Sequence, residues 1–370
     1  MKTEMEGSIG GVSWQWSVGE EGLSTGVKVL GIDNGLMQIE LLPTRGMGIR
    51  QVTAPGIRLG WDSPVRGPVH PSFINLADEG GTGWLRGFDE WLVRCGLFSN
   101  GAPAEDNIET PLGGYRKVLL PLHGRIANIP AEEIEFEETA DGLFKVSAVV
   151  NECVLFGTCL QLRTSLLIRE GESTFIVQDE VKNIGGRPCE MEMLYHINFG
   201  PPVVGPGSMI HAPFSWAMPR DEVAEQGFDR LPEIGPPTPG TSEQAFFTSL
   251  RSHADGMSHV VFINADQDCG CSLTFNKDEL PCFTIWKYEA SEAEGYVVGL
   301  EPGTNYPNPK PFERTMGRVP VLQPGETYPI TLEFDLLNTA DQVARALELV
   351  DELEATEGDP EPPENEILPG

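Results

Sequence analysis

Three short segments of the chain pair an acid or a base with polar neighbours at spacings suited to proton transfer on a polyhydroxylated ligand. The segment G-L-E-P-G-T-N-Y-P-N, residues 299–308, sets Glu301 at the end of an apolar run, just before the turn forced by Pro302 and Gly303. A carboxylate at the end of a strand, on a sheet rim, is rigidly mounted, as a general base must be. In Y-H-I-N-F-G, residues 195–200, period-two alternation places His196 on the same face as Leu194. Imidazole titrates near neutrality, which makes His196 a candidate proton donor. In L-H-G-R-I-A-N, residues 122–128, His123, Arg125 and Asn128 offer hydrogen-bonding groups of three shapes, and Gly124 lets backbone approach a ligand closely. Each residue also has a structural reading: a solvated glutamate, a hydrogen-bonded core histidine, an arginine in an ion pair.

Strands must position these groups. Between Leu143 and Val181, runs of β-branched and aromatic residues broken by turn residues such as Gly171 predict three consecutive antiparallel strands. Similar runs recur at 37–42, 190–196, 259–264, 272–275, 283–288, 296–300 and 331–336, and the 42 glycines and 31 prolines supply corners. The expected fold is therefore all-β, one sandwich or barrel-like domain over residues 8–337. Val343, Leu347, Val350 and Leu353 fall at helical spacing, which predicts a C-terminal amphipathic helix over 338–356. Residues 357–370 are acidic and proline-rich, and their composition predicts a disordered tail. Trp84, Phe88 and Trp91 also recur at helical spacing, which predicts a short helix packed on the core. The same patch carries Asp89 and Arg94, and aromatic faces beside planar polar groups suit a sugar ring.

Composition narrows the class of partner. The formal charge of −31, from 56 acidic against 25 basic residues, repels phosphate backbones and anionic headgroups, so neither nucleic acid nor a membrane surface is an expected partner. The N-terminus lacks a basic segment followed by an apolar one, and no stretch approaches the ~20 apolar residues of a membrane span. A soluble, cytoplasmic protein is expected. The seven cysteines (Cys95, Cys153, Cys159, Cys189, Cys269, Cys271 and Cys282) are odd in number and sit mostly in apolar runs, as reduced thiols would. Cys269 and Cys271 form an isolated C-x-C, which is weak as a metal signature.

Several of these segments carry a resemblance when read together: L-P-T-R-G-M-G-I at 42–49, G-F-D-E-W-L-V-R-C-G-L-F-S-N-G at 87–101, L-H-G-R-I-A-N, Y-H-I-N-F-G, F-T-I-W-K at 283–287 and G-L-E-P-G-T-N at 299–305. Over roughly residues 25 to 337 the chain resembles the aldose 1-epimerase (galactose mutarotase-like) superfamily, and more closely its DUF4432 branch. The resemblance implies a β-supersandwich with an open cleft on one sheet, where the α and β anomers of free aldoses are interconverted. It implies Glu301 as the base that takes the anomeric hydroxyl proton and His196 as the acid that protonates the ring oxygen. His123 is matched to a second, substrate-contacting histidine and Arg125 to a sugar-binding arginine. Asn128, Arg45, Asp89, Arg94, Trp286, Lys287 and Asn305 complete the expected substrate-binding set, with Arg45, Arg94 and Lys287 able to reach an anionic substituent. No metal or organic cofactor is implied, the partner is a small sugar, and a homodimer is compatible with the fold. The chain departs from the superfamily at the acid histidine, where Y-H-I-N-F-G stands for the usual N-H-x-Y-F-N-L, and the sugar-binding aspartate has no counterpart. Two other readings share the site: a non-catalytic carbohydrate-binding protein, and a metal-dependent isomerase or lyase with His123, His196 and Glu301 as ligands.

Overall fold

The computed structural model describes residues 2–109 and 113–369. Two large antiparallel sheets face one another. Along the main path of the 12-stranded sheet the order is Lys2–Ile9, Val12–Val18, Lys28–Asp33, Gln38–Leu42, Gly48–Ala54, Leu92–Leu97, Glu192–Phe199, Val297–Gly303, Cys282–Tyr288, Gln244–Leu250 and Phe214–Pro219. The 8-stranded sheet runs Glu132–Glu138, Phe144–Cys153, Cys159–Ile168, Thr174–Asn183, Thr327–Leu337, Gly270–Asn276, Met257–Ile263 and Met209–His211. The three strands expected between Leu143 and Val181 are consecutive neighbours in it, with Phe144 opposite Ile168 and Leu162 opposite Val181.

The facing sides of the sheets make one apolar core, to which Trp91, Leu92, Tyr195, Ile197, Val298 and Leu300 contribute from the larger sheet and Val146, Leu162, Val177, Leu332 and Phe334 from the smaller. Alternation then sends the intervening residues of the larger sheet outward. A second cluster lies on that outer face, built from Trp61, Trp84, Phe88, Val93, Cys95, Leu194 and Val297, with Trp286 and Tyr288 packed against it. The central strands of that face, which carry this cluster, are also those that carry His196 and Glu301.

The structure departs from the sequence expectation in three places. Glu301 is not at a sheet rim: its strand continues to Gly303 and is paired on both sides, by Glu192–Phe199 and by Cys282–Tyr288. Only Gly83–Gly87 coils, as a 3-10 turn, and Phe88 is already extended. Trp84 and Phe88 therefore cover the outer face while Trp91 enters the core, so these aromatics do not form one helical stripe. The third difference is at the C-terminus. A helix spans Ala340–Glu354, capped by the Thr339 side chain and buried through Val343, Ala346, Val350 and Leu353. The acidic segment beyond it crosses back onto the larger sheet. Ser249 donates to Asp359 at 2.6 Å, the Asp359 amide donates to Ser215, and Ile367 is buried against Phe247, Cys282 and Tyr306. Composition averages over this tract hide the two apolar anchors, Ile367 and Leu368, that dock it.

Among the described residues, no helix is long and apolar enough to cross a membrane.

Candidate active site

Register brings His196 and Glu301 together. The pairing that sets Leu194 opposite Gly303 and Ile197 opposite Leu300 sets His196 directly opposite Glu301 on the outer face. His196 Nε2 lies 3.2 Å from Glu301 Oε1, and both side chains are almost wholly excluded from solvent. Gly299 lies beneath the pair. A Cβ there would stand 2.9 Å from Glu301 Oε1 and 3.1 Å from His196 Cε1, so the absence of a side chain is what lets the two groups meet. Gly299→Ala is accordingly expected to separate the pair and cut turnover at least tenfold, at a stability cost of about 1–3 kcal/mol typical of overpacking. Steady-state kinetics beside urea denaturation checks this.

His123 arrives from a loop. It adopts φ 56°, and Gly124 follows at φ 72° with its Cβ position only 2.0 Å from Ser99 O and 2.3 Å from Gly96 O, so no side chain fits at 124. This turn carries the His123 ring to within 5.4 Å of the His196 ring, nearly perpendicular to it. His123 Nδ1 sits 2.9 Å from the carbonyl oxygen of Asn100. A carbonyl only accepts, so Nδ1 carries the proton and Nε2 is left as an acceptor. Asn100 is itself fixed: its side chain exchanges two 3.0 Å hydrogen bonds with Asn305, and its amide donates to Glu192. Burial holds the Glu192 carboxyl up at about 7.

Aromatic rings close over these groups. Trp84 packs 4.6 Å from His123, Phe88 5.0 Å and Trp286 5.2 Å from His196, as ring-centre distances. Burial in this shell disfavours charge. The Glu301 carboxyl is driven well above the usual carboxylate range, first by desolvation and then by Glu243, against a smaller opposing pull from Arg220. The His196 imidazole is driven well below its usual value by desolvation and by His123. His123 is lowered to about 4, again chiefly by desolvation. Burial therefore disfavours charge on both members of the pair, Glu301 and His196, which meet at 3.2 Å.

One consequence concerns stability. His123 binds its proton more weakly folded than unfolded, so the unfolded chain takes up the extra proton as pH falls from about 6.5 to about 4, and stability falls with it, by up to about 3 kcal/mol. His196 adds in the same direction. Urea midpoints at pH 7.5 and pH 5 are expected to show a smaller acid loss for His123→Asn than for the wild-type chain.

The remaining residues of the expected binding set lie in several places. Trp286 faces His196 and donates from Nε1 to Glu243 at 2.6 Å, and Arg220 binds Glu243 at 2.8 Å. Lys287, the next residue on that strand, points away and is held by Glu289 and by the carbonyls of Arg230 and Glu233. Arg94 is in the core between the sheets, not in the cleft: it binds Asp179 at 2.5 and 3.0 Å, Thr164 at 2.8 Å and the carbonyl of Met47. Arg45 is likewise buried, bound to Glu90 at 2.5 Å and to Val69 O and Asn128 Oδ1 at 3.1 Å, where it ties the turn that follows His123 to the sheet. Asp89 lies 3.5 Å from Arg50, its carboxyl raised to about 7 by burial and by Glu90. The Arg125 charge acts on Glu152, a residue of the smaller sheet. Asn305 is spent on Asn100, Glu192 and Tyr306 O. The cations expected to reach an anionic substituent are all paired inside the protein. Residues the sequence reading did not select are Asn100, Asn198, Arg220 and Glu243. Of these only Asn198, two residues from His196 on one strand face, carried a signal in the alternation.

Among the described residues, no group of three or more His, Cys, Asp or Glu side chains is arranged to hold a metal ion. A trough of about 690 Å³ lies elsewhere, on the N-terminal strands between Glu6, Gln15, Asp33, Gln38 and Glu40, and shares no residue with the histidine site. That trough is lined by carboxylates, amides and the Trp14 ring.

Residues 24–336 match the model of DUF4432, a domain of unknown function. The chain belongs to the DUF4432 family. A crystal structure of a candidate aldose 1-epimerase from Klebsiella pneumoniae is similar at 32% identity and a TM-score of 0.86, covering 94% of this chain and 88% of that one. Two more distant structures share the fold. A galactose mutarotase-like protein from Clostridium acetobutylicum has 14% identity and a TM-score of 0.59, over 88% of this chain and 98% of that one. A galactose 1-epimerase from Lactobacillus acidophilus has 13% identity and a TM-score of 0.52, over 87% and 98%. No curated protein sequence matches the chain.

Proposed function

We propose that this DUF4432 protein, a galactose mutarotase-like supersandwich, interconverts the anomers of an aldose by acid–base ring opening. The observation that supports this most directly is the buried contact of 3.2 Å between His196 Nε2 and Glu301 Oε1. Opening a hemiacetal removes a proton from the anomeric hydroxyl and delivers one to the ring oxygen. A base and an acid acting together avoid both an isolated alkoxide and an isolated oxocarbenium ion, and each contributes roughly 10²- to 10⁴-fold.

The pair holds one proton for this purpose. Moving it from Glu301 to His196 converts the resting neutral pair into carboxylate and imidazolium, a base and an acid in one step. Glu301 then takes the O1 proton while His196 gives its own to the ring oxygen. The open aldehyde rotates about C1–C2 and recloses with the roles reversed, which leaves carboxylate and imidazolium again, and the proton passes back from His196 to Glu301 to restore the resting pair. His123 Nε2 accepts a sugar hydroxyl, and Trp84, Phe88 and Trp286 supply apolar faces for the ring and exclude water. Rate against pH should show an acid limb displaced below the usual histidine range and an alkaline limb displaced above the usual carboxylate range. A shoulder at either ordinary value would mean that the pair titrates as two independent groups. The reading is tested by the rate at which freshly dissolved single anomers of aldoses reach equilibrium with and without the protein. Acceleration of at least one sugar is expected, and none accelerated at any pH would remove it.

A further inference from the structure

Asn198 borders the His196–Glu301 pair. It stands two residues beyond His196 on the outer face of the same strand, opposite Gly299 in register. Both protons of its amide are committed: Nδ2 donates at 3.0 Å to Glu90 O and at 3.0 Å to the carbonyl oxygen of His196. This fixes which end of the amide is which, because the oxygen could not make those bonds. Oδ1 is left buried with no other hydrogen bond, and His196 Nδ1 is the same. The Asn198 side chain is near enough to the His196 ring to act on its protonation through a hydrogen bond. The Cβ position of Gly299, beside Asn198, lies 3.3 Å from His196 Nδ1, so the Nδ1 edge of the ring is turned along the strand toward Asn198 while Nε2 faces Glu301.

We infer that Asn198 is a positioning residue that holds the Nδ1–H tautomer of His196 through Oδ1, keeps Nε2 free to take the proton of Glu301, and satisfies Nδ1–H when the ring becomes imidazolium. The inference rests on the acid–base reading above but makes a claim about the imidazole that can be read without turnover. In the resting site Glu301 donates to Nε2 and Nδ1–H donates to Asn198. After transfer, both N–H groups of the cation still have acceptors, the Glu301 carboxylate and Oδ1. The neighbouring charges are Glu301 itself, His123, and Glu243 with Arg220. Asn198 is also the one group whose hydrogen bond favours the charged ring, against desolvation and His123.

Asn198→Leu keeps the branched outline of the side chain and removes the acceptor together with the two Nδ2 donations. An imidazolium with an unsatisfied buried N–H is expected to lower kcat about tenfold to a hundredfold with KM nearly unchanged. The decisive readout is the ¹⁵N spectrum of the His196 ring in the sugar-free protein. Wild type is expected to show a protonated Nδ1 and an acceptor Nε2, and Asn198→Leu a mixed or reversed tautomer. If the leucine variant does not fold, Asn198→Asp, which keeps an acceptor at Oδ, is expected to retain the Nδ1–H signal and to raise the His196 pKa. A His196 spectrum identical in wild type and variant, with kcat falling only in step with melting temperature, would overturn the inference, because Asn198 would then be a strand-fixing amide. A wild-type chain with the predicted tautomer and no effect on any sugar would instead remove the proposed function and leave the positioning role standing.

Discussion

Glu301→Gln is expected to lower kcat by about 10²- to 10⁴-fold while the protein still folds and still binds sugar. The amide is nearly isosteric with the protonated carboxyl of the resting site, and its Nε2–H can still donate to His196 Nε2 across the 3.2 Å contact. Since burial already disfavours charge on that carboxyl, a neutral amide suits the site, and stability is expected to change by no more than about 1 kcal/mol. What the amide lacks is a proton to give and a lone pair basic enough to take one back. Kinetics with sugar binding measured by calorimetry separates the two effects, and a comparable fall in affinity would assign Glu301 to binding.

The largest effect on stability is expected one strand away. Arg94 stands next to Tyr195 across the sheet and reaches inward to Asp179, which also accepts from Tyr195 Oη at 2.8 Å. Arg94→Leu leaves a carboxylate in the core with no cation, at a cost of about 3–5 kcal/mol. The double variant Arg94→Leu/Asp179→Leu is expected to recover most of that loss, because a buried ion pair contributes little beyond mutual compensation. Urea denaturation of the two variants distinguishes this from a binding role, in which the single variant would keep its stability and lose affinity. The pair also crosses between the sheets directly beneath the strand that carries His196, so loosening it is expected to blur the register on which the site depends.

The sequence carried the strand content of the domain more clearly than it carried direction within each strand. Phe144 to Asn183 announces three strands through β-branched runs and turn residues, and the terminal helix shows in its spacing. In Leu92–Leu97 every residue is buried, so alternation cannot say that Val93 and Cys95 face the site while Arg94 faces the core. Trp286 and Lys287 pose the same problem on the strand Cys282–Tyr288. Long-range register is a second hidden quantity. Glu301 and His196 are more than a hundred residues apart, and nothing local says that they are opposite one another. The amide network of Asn100, Asn305 and Glu192 is hidden for the same reason. Asn198 is different, since period two from a candidate acid places it on the site face from sequence alone.

The central claim is that the His196–Glu301 pair moves protons on a sugar hemiacetal. NMR exchange between the α and β resonances of a panel of aldoses, recorded with wild-type protein and with Glu301→Gln at matched concentration, tests it most directly. Faster exchange for at least one sugar with wild type, lost with Glu301→Gln although the sugar still binds, is the predicted result. Exchange no faster than in buffer for every sugar that binds the wild-type protein, or equal acceleration by both proteins, would contradict it.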